Sequence, residues 1–310
     1  MADQVTICEC FARDGLQHET MVVPTDTKIA LLEAFADAGF TRIEATSYSH
    51  PKRVPAFADA SRVLAGVTHR PGVAFKATCP NPKAVLRALD DVDRGAGAEE
   101  LSLLVSASES HTERNLRTTR ARQWERIAEM IRLAAGRFRL VGVVSVAFGC
   151  PFEGHVDPGR VAEDVAQFVD LGADAVTLGD TTGVATPGAV AELFNRLERA
   201  HPRFPVIAHL HDTRGTALVN AVAALDAGCR HFDSALGGVG GHPASITYGG
   251  GLTGNVCTED LASLLEAMGV STGLDVDALA AASRACERAL GRQLYSMVAR
   301  AGFARTEVSA

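Results

Sequence analysis

The sequence predicts an α/β fold, a (β/α)8 TIM barrel with an additional C-terminal helix, and three observations favour it. Eight β-branched runs alternate with Ala-, Leu- and Arg-rich helical stretches over about 270 residues, the size of one such barrel. Several helical stretches have Pro just inside their start and Gly just after their end, the usual asymmetry of helix termini. The loop after the first strand, FARDGLQ at 11–17, lacks the GxGxxG pattern of an open dinucleotide-binding sheet.

The elements follow in order along the chain. Strands are predicted at residues 5–10, 42–46, 73–78, 101–106, 139–147, 175–178, 206–211 and 231–235. Helices are predicted at residues 27–38, 55–65, 82–89, 120–135, 158–171, 187–200, 216–227 and 258–268. A further helix at 276–291 would cover the barrel or contact another subunit. We expect one catalytic domain over 1–310, with the barrel at about 4–270 and a helical extension at about 271–310.

Composition excludes several classes of protein. The chain has 310 residues, 47% of them hydrophobic, so it has enough apolar surface to fold and is not disordered. A net charge of −7 argues against nucleic-acid binding. The longest apolar run, 140–152, contains Gly, Ser and Pro and is shorter than the ~20 residues of a membrane helix. With no signal-like N-terminus and seven scattered cysteines, we expect reduced thiols in the cytoplasm.

Polar and ionisable residues follow five of the predicted strands. In this type of barrel the carboxyl ends of the strands face one shared pocket. The residues at those ends are Arg13 and Asp14, Glu44, Asp180, His209 and His211, and Asp233. We therefore expect these side chains to form one site at that end of the barrel.

The pair His209 and His211 is the sharpest local signal. Their i, i+2 spacing on a strand sends both rings to one face, where two nitrogens can meet one ion. Alone, the pair would more often be two hydrogen-bonded histidines, but Asp14 from the opposite side of the barrel favours a metal. Two imidazoles with carboxylate and amide oxygens suit Mg²⁺ or Mn²⁺, and suit Zn²⁺ less well without a thiolate.

Arg13 lies beside the proposed ligand Asp14. Its permanent charge would stabilise a developing enolate or carboxylate oxygen, or would form a salt bridge to Glu44 or Asp180, and the two roles are compatible. Asp212 could orient a histidine ring as a hydrogen-bond partner, although strand alternation points it away from the pocket.

Two glycine-rich segments follow the last strand. The run at 237–241 indicates a tight backbone path, a moving flap or an ordinary connection. Thr258, followed by Glu and Asp, is typical of a helix N-terminus and would hold Asn255 near the mouth of the barrel.

Together these motifs resemble the 3-hydroxy-3-methylglutaryl-CoA lyase family, metal-dependent TIM-barrel lyases related to isopropylmalate synthase. The resemblance rests on RDGLQ (13–17), IEATS (43–47), PK (51–52) with VP (54–55), GCPFEG (149–154), LGDTTG (178–183), HLHDTRG (209–215), and GN (254–255) with TED (258–260). It implies that Asp14, His209, His211 and Asn255 bind the metal. It also implies that Arg13 stabilises the acyl-CoA enolate and that Glu44 and Asp180 lie in the active site.

The chain departs from that family at one position. The family's glycine loop carries a catalytic cysteine, but this chain has His242 there, and the segment between it and Asn255 is about four residues longer. A histidine also transfers protons near neutral pH, so His242 is our candidate acid/base. The alternatives are that Cys257 takes the role, or that His242 is structural.

The resemblance implies retro-Claisen cleavage of a tertiary 3-hydroxyacyl-CoA to an acetyl-CoA-like thioester and a keto acid. The proton on the hydroxyl would leave to Asp180 or a pocket histidine. Three alternatives stay open: a lyase for citramalyl-CoA or another 3-hydroxyacyl-CoA, a condensing synthase, and a non-catalytic metal-binding relative. Candidate phosphate contacts for CoA are Lys52, Arg53, Arg114 and Arg117, though each is more simply a solvated surface charge. The resemblance also implies a homo-oligomer.

Overall fold

The computed structural model describes residues 4–241 and 254–303. Within them, eight parallel strands pair in chain order and close into a barrel, with β1 hydrogen-bonded to both β2 and β8. The strands are β1 Thr6–Glu9, β2 Arg42–Ser47, β3 Ala74–Cys79, β4 Glu100–Ser106, β5 Arg139–Ser145, β6 Ala175–Asp180, β7 Val206–Leu210 and β8 His231–Ser234. All eight predicted strands are present, so the predicted fold class is confirmed.

Helices alternate with the strands and surround the barrel. They are α1 Thr25–Asp37, α2 Ala60–Gly66, α3 Pro82–Asp93, α4 Glu109–Leu116, α5 Arg120–Ala134, α6 Pro158–Leu171, α7 Pro187–Ala200, α8 Ala217–Asp226, α9 Thr258–Ala267, α10 Val276–Leu290 and α11 Met297–Ala301. Helix α10 is the additional C-terminal helix, and it packs against α1. The backbone N–H of Asp275, its N-cap, donates to the carbonyl of Ala38 just after α1.

Two helical segments differ from the prediction. The stretch predicted as one helix at 55–65 is a short 3₁₀ turn, Pro55–Phe57, followed by α2. Between them, Asp59 accepts hydrogen bonds from Lys28 and Thr25, a tertiary contact that no local pattern reveals. Helix α4 was not predicted because its sequence is polar, but Ser108 caps it by accepting from His111 N–H.

The interior of the barrel is divided by polarity. Large apolar side chains fill the space between the strands and the outer helices, whereas a small cluster of Val141, Ala175 and Ile207 lies apart from them. Arg42 and Arg139 both donate hydrogen bonds to the carboxylate of Glu100, so the buried charge of Glu100 is paired. This packed interior supports the polar residues at the carboxyl ends of the strands.

Among the residues that the structure describes, no helix combines the length and the apolar character needed to span a membrane. All seven cysteines are buried and free, as expected for reduced thiols.

Candidate active site and metal centre

Asp14 reaches the site from a tight turn rather than from the first strand itself. Strand β1 ends at Glu9, and residues Phe11–Gly15 form one turn of π-helix. The carbonyl of Cys10 accepts hydrogen bonds from the backbone N–H groups of both Asp14 and Gly15. Such single π-turns often occur at functional sites, and this one places Arg13 and Asp14 in the cavity at the barrel mouth.

The two histidines extend inward from the end of β7. The Nε2 atoms of His209 and His211 are 3.1 Å apart, as their i, i+2 spacing predicts. Asp14 Oδ2 lies 3.9 Å from His209 Nε2 and 3.8 Å from His211 Nε2. The structure thus brings together three predicted ligands that are remote in sequence.

Asn255 joins this group through backbone pairing with the same strand end. Asn255 forms an isolated antiparallel bridge with His211, and the N–H of Val256 donates to the carbonyl of Leu210 at 2.8 Å. The Asn255 Nδ2 group donates to Asp14 Oδ2 at 2.7 Å and to the carbonyl of Val239 at 2.9 Å. Its Oδ1 atom is buried without a hydrogen-bond partner in the part of the chain that the structure describes.

This arrangement fits a divalent cation. One donor atom from each of Asp14, His209 and His211 lies within 4.8 Å of the others. A buried amide oxygen without a partner is costly, and binding of an ion by Asn255 Oδ1 would satisfy it. The set of two imidazole nitrogens and two oxygens matches the preferences of first-row divalent ions and of Mg²⁺.

Asp233 orients one of the proposed ligands. Its Oδ2 atom lies 3.4 Å from His209 Nδ1, so an N–H on Nδ1 leaves the Nε2 lone pair facing the other donors. Asp212, considered for such a role from the sequence, instead accepts the N–H of Ala217 at the start of α8. Strand alternation had pointed Asp212 away from the pocket.

Arg13 forms two ion pairs at the site. Its Nη1 atom lies 2.9 Å from Asp14 Oδ1, and its Nη2 atom lies 2.9 Å from Glu44 Oε2. Burial disfavours charge on Asp14, but Arg13 and the two histidines outweigh it and hold the pKa of Asp14 well below its ordinary value. Asp14 is therefore ionised at neutral pH, as a metal ligand must be.

Asp180 does not line the cavity, whereas the predicted residues Arg13, Asp14, Glu44, His209 and His211 do. Its two carboxylate oxygens accept the backbone N–H groups of Val184 and Ala185, which fixes the loop after β6. Burial raises the pKa of Asp180 to about 6. The neighbouring Thr181 does line the cavity.

The glycine run passes directly over the proposed ligands. Gly240 has φ +136°, and a Cβ atom there would lie 2.5 Å from Asn255 Nδ2 and 3.3 Å from Asp14 Oδ2. A side chain at this position would displace Asn255, so the close approach requires glycine. Gly241 lines the cavity beside His18. The next residue, His242, lies outside the described residues.

Cys257, the alternative acid/base, is directed away from the cavity. Its thiol is buried and donates to Glu259 Oε2 at 2.9 Å. Burial and the charges of Glu259 and Asp260 raise the pKa of this thiol well above its usual value. Cys257 therefore supports the start of α9 and makes no contact with the cavity.

The cavity has a volume of about 470 Å³ and extends from the proposed ligands to a basic mouth lined by arginines. Of the cations suggested for CoA, Arg53, Arg114 and Arg117 line it, whereas Lys52 does not. Sequence reasoning missed several other lining residues, namely Gln17, His18, His50, Lys76 and Arg126. His18 follows Asp14 by four residues, a signal that could have been noticed. Lys76 could have been noticed because it is a charged residue at an inward position of a predicted strand.

The family model described as HMGL-like matches residues 4–286 of the chain. The chain belongs to this family. Hydroxymethylglutaryl-CoA lyase, mitochondrial, from Macaca fascicularis is 38% identical over 299 residues, which are 96% of this chain and 89% of that protein. The cytoplasmic 3-hydroxy-3-methylglutaryl-CoA lyase of Mus musculus is 36% identical over 98% of this chain and 86% of that protein.

Solved structures of bacterial family members have the same architecture. An HMG-CoA lyase from Acinetobacter baumannii, in complex with coenzyme A and 3-methylmalate, matches with TM-score 0.91 and 37% identity over 99% of this chain and 98% of that one. Hydroxymethylglutaryl-CoA lyase from Pseudomonas aeruginosa matches with TM-score 0.90 and 35% identity, over 97% of this chain and 98% of that one.

These matches confirm the predicted family and the predicted class of activity, a carbon–carbon lyase of the hydroxymethylglutaryl-CoA lyase type. They do not favour the citramalyl-CoA, synthase or non-catalytic alternatives. The metal-binding character of the family agrees with the donor cluster of Asp14, His209 and His211.

Proposed function

We propose that the protein uses Mg²⁺ or Mn²⁺ to cleave 3-hydroxy-3-methylglutaryl-CoA into acetyl-CoA and acetoacetate. The observation that carries this proposal is the ion pair between Arg13 and Asp14. A purely structural ion site has no need of a fixed cation beside its carboxylate ligand. A site that creates an anion on a thioester oxygen does need one.

Asp14, His209, His211 and Asn255 would hold the ion. When bound, a divalent ion supplies Lewis-acid polarisation of the substrate hydroxyl and carbonyl oxygens, which lowers the pKa of the hydroxyl. Asp233 keeps the His209 ring in the orientation that the ligand set requires.

The bond that breaks joins C2 and C3 of the acyl chain. The C3 hydroxyl loses its proton and becomes the ketone oxygen of acetoacetate, while the bonding pair moves to the thioester as an enolate. Arg13 would stabilise the enolate oxygen, and Glu44 holds the guanidinium in place through a 2.9 Å ion pair. Protonation of the enolate carbon then completes acetyl-CoA.

We assign these proton transfers to two histidines, His242 and His18. His242 follows Gly241, which lines the cavity, and remains our candidate donor to the enolate carbon. His18 lines the same cavity, and burial lowers its pKa, so its neutral ring could accept the hydroxyl proton. Asp180 is a weaker candidate for that acceptor because both of its oxygens accept backbone N–H groups. Its role would be to hold the loop that follows β6.

The basic mouth suits the phosphates of CoA. Arg53, Arg114, Arg117 and Arg126 line it, and Arg114 is held over the ring of Phe152 at 4.1 Å. The relative from Acinetobacter baumannii was solved with coenzyme A. We propose that the CoA phosphates bind these arginines, that the enzyme works in the cytoplasm, and that it assembles as a homo-oligomer.

Product identification tests the function directly. Purified protein with hydroxymethylglutaryl-CoA and Mg²⁺ should release acetyl-CoA and acetoacetate, detected by mass spectrometry. EDTA should abolish release, and added Mg²⁺ or Mn²⁺ should restore it. The absence of acetyl-CoA with either ion would refute the proposal.

Two variants test the proton donor. His242→Ala should lower kcat by about 100-fold or more while divalent-ion affinity stays nearly unchanged. Cys257→Ala should leave kcat within a few-fold of the parent value, because its thiol faces Glu259 rather than the cavity. Wild-type kcat in His242→Ala would remove that residue from the mechanism.

A further inference from the structure

The inner end of the cavity, below the proposed metal ligands, is polar. Lys76 on β3, Ser102 on β4 and Thr177 on β6 line it, and we call these three residues the inner polar pocket. Each has at most 2% of its surface exposed. None of them has a part in the proposed cleavage chemistry, so their presence in a buried cavity requires another explanation.

Lys76 has hydrogen-bonding capacity that the protein does not use. Its Nζ atom lies 3.6 Å from Asp233 Oδ2 and 4.0 Å from Glu44 Oε1, which are ion-pair separations. Across the described residues, 4–241 and 254–303, no acceptor lies within hydrogen-bonding distance of this ammonium. The other fully buried lysine is different, because Lys28 Nζ donates to Asp59 at 2.8 Å and to the carbonyl of Ala56 at 2.5 Å. An ammonium has three donors, and those of Lys76 face the cavity.

The two hydroxyl groups are in the same condition. Ser102 Oγ and Thr177 Oγ1 are buried and have no hydrogen-bond partner among the described residues. Native structures rarely leave such groups unsatisfied, because a buried hydroxyl group without a partner is destabilising. The side chains of all three residues therefore line the same cavity, and each has a donor to spare.

The charge of the surrounding site favours an anion. The ionised side chains of the inner half of the cavity are two cations, Arg13 and Lys76, and three carboxylates, Asp14, Glu44 and Asp233. With neutral histidines, a bound divalent ion would leave this region with one net positive charge. Leu104 and Val143 line the same cavity and offer apolar contact to a short carbon chain.

We propose that the inner polar pocket binds the free carboxylate of the substrate's acyl chain, with Lys76 as its ionic partner and Ser102 and Thr177 as hydroxyl donors. This inference rests on the proposed function. It makes Lys76 a specificity-determining residue for dicarboxylic acyl-CoA substrates. A carboxylate accepts about four hydrogen bonds, so it can use all three donors at once.

Binding of glutaryl-CoA and of its terminal carboxamide tests the proposal. Neither has a 3-hydroxyl group, so neither can undergo the cleavage, and they differ only in the distal group, which is an anionic carboxylate in one and a neutral carboxamide in the other. Isothermal titration calorimetry with Mg²⁺ present should show the carboxylate binding about 10- to 100-fold more tightly, the range for a hydrogen-bonded charged group. Equal affinities in the wild-type protein would overturn the proposal.

Variants separate this role from a structural one. Lys76→Met should make the affinities for the carboxylate and the carboxamide about equal, and should leave the carboxamide affinity unchanged. Loss of affinity for both thioesters alike would show a structural counter-ion of Asp233, and would overturn the proposal. Ser102→Ala and Thr177→Val keep the charge balance. Each should reduce the preference for glutaryl-CoA over its carboxamide by about 2- to 10-fold. Lys28→Met, the matched buried-lysine control, should leave the preference intact.

The two proposals fail separately. A protein that binds glutaryl-CoA more tightly than its carboxamide but does not cleave hydroxymethylglutaryl-CoA would keep the pocket and lose the proposed function. A protein that cleaves it but binds both analogues equally would lose the pocket alone.

Discussion

The Nε2 atoms of His209 and His211 lie 3.1 Å apart, and both rings stand within 4 Å of Asp14 Oδ2. Two imidazole nitrogens at this distance share either a proton or a cation. The carboxylate beside them, which Arg13 keeps ionised, favours the cation. The relation between these two rings is therefore the basis of the first prediction.

Removing one ring should remove the ion. His211→Ala should weaken Mn²⁺ binding, measured by electron paramagnetic resonance, by more than the 10- to 100-fold typical of losing an outer hydrogen-bond partner. The exposed His155 provides the control, because His155→Ala changes no group at the site. Unchanged Mn²⁺ affinity in His211→Ala would show that the pair is only hydrogen-bonded.

The contact between Asp233 and His209 should tune that affinity. Asp233→Asn keeps the size of the side chain but removes the charge that orients the ring, so Mn²⁺ binding should weaken by about 10- to 100-fold. Calorimetric titration of the metal-free protein would measure it. An affinity equal to that of the parent would mean that the 3.4 Å contact does not orient the ring.

Arg13 should act on turnover rather than on substrate binding. Arg13→Met removes the cation at the developing enolate, and kcat should fall by about 100- to 1,000-fold. Arg13→Lys keeps the charge but not the planar fork that bridges Asp14 and Glu44, so it should recover only part of kcat. If Arg13→Met raised KM while kcat stayed unchanged, the stabilising role would be wrong.

Glu9 should make stability depend on pH. Burial raises its pKa to about 8, against the opposing hydrogen bonds from Thr258, Leu236 and Phe11. The folded protein then keeps a proton that the unfolded chain releases above its ordinary pKa of 4.5. The contribution to stability is complete below that pKa and is lost as the pH rises toward 8.

Replacement of Glu9 isolates this effect. Between pH 5 and pH 7 the wild-type protein should lose roughly 2 kcal/mol relative to Glu9→Gln, which has no such proton. Urea unfolding at several pH values would measure the difference between the two proteins. A difference that does not vary with pH would show that Glu9 is ionised in the folded state.

Local patterns were sufficient for the elements of the barrel. Each strand needs only a β-branched run, and the helices α6 and α7 begin and end as predicted because Pro at the start and a turn at the end are local signals. The helix predicted at 55–65 is interrupted because Asp59 binds Lys28, which is 31 residues away. Such a contact has no local signature.

At the site, too, some features follow from local sequence and others depend on tertiary contacts. The spacing of His209 and His211 predicted that they share a face, and the polarity of the strand ends predicted the cluster. Asp180 satisfied the same criterion, but its oxygens are used by the backbone of the following loop. Whether a strand-end carboxylate faces the cavity or its own loop depends on hydrogen bonds that form only in the folded chain.

The amino-acid sequence by itself determined the barrel, the family and the candidate ligand residues, because side-chain period and motif spacing are properties of the linear chain. Only the tertiary structure decided that the Cys257 thiol faces Glu259 and that Lys76 opens into the cavity. The physical reason is that burial and hydrogen-bond satisfaction depend on neighbours contributed by distant strands. The functional state of a polar side chain is therefore fixed only once the barrel has closed.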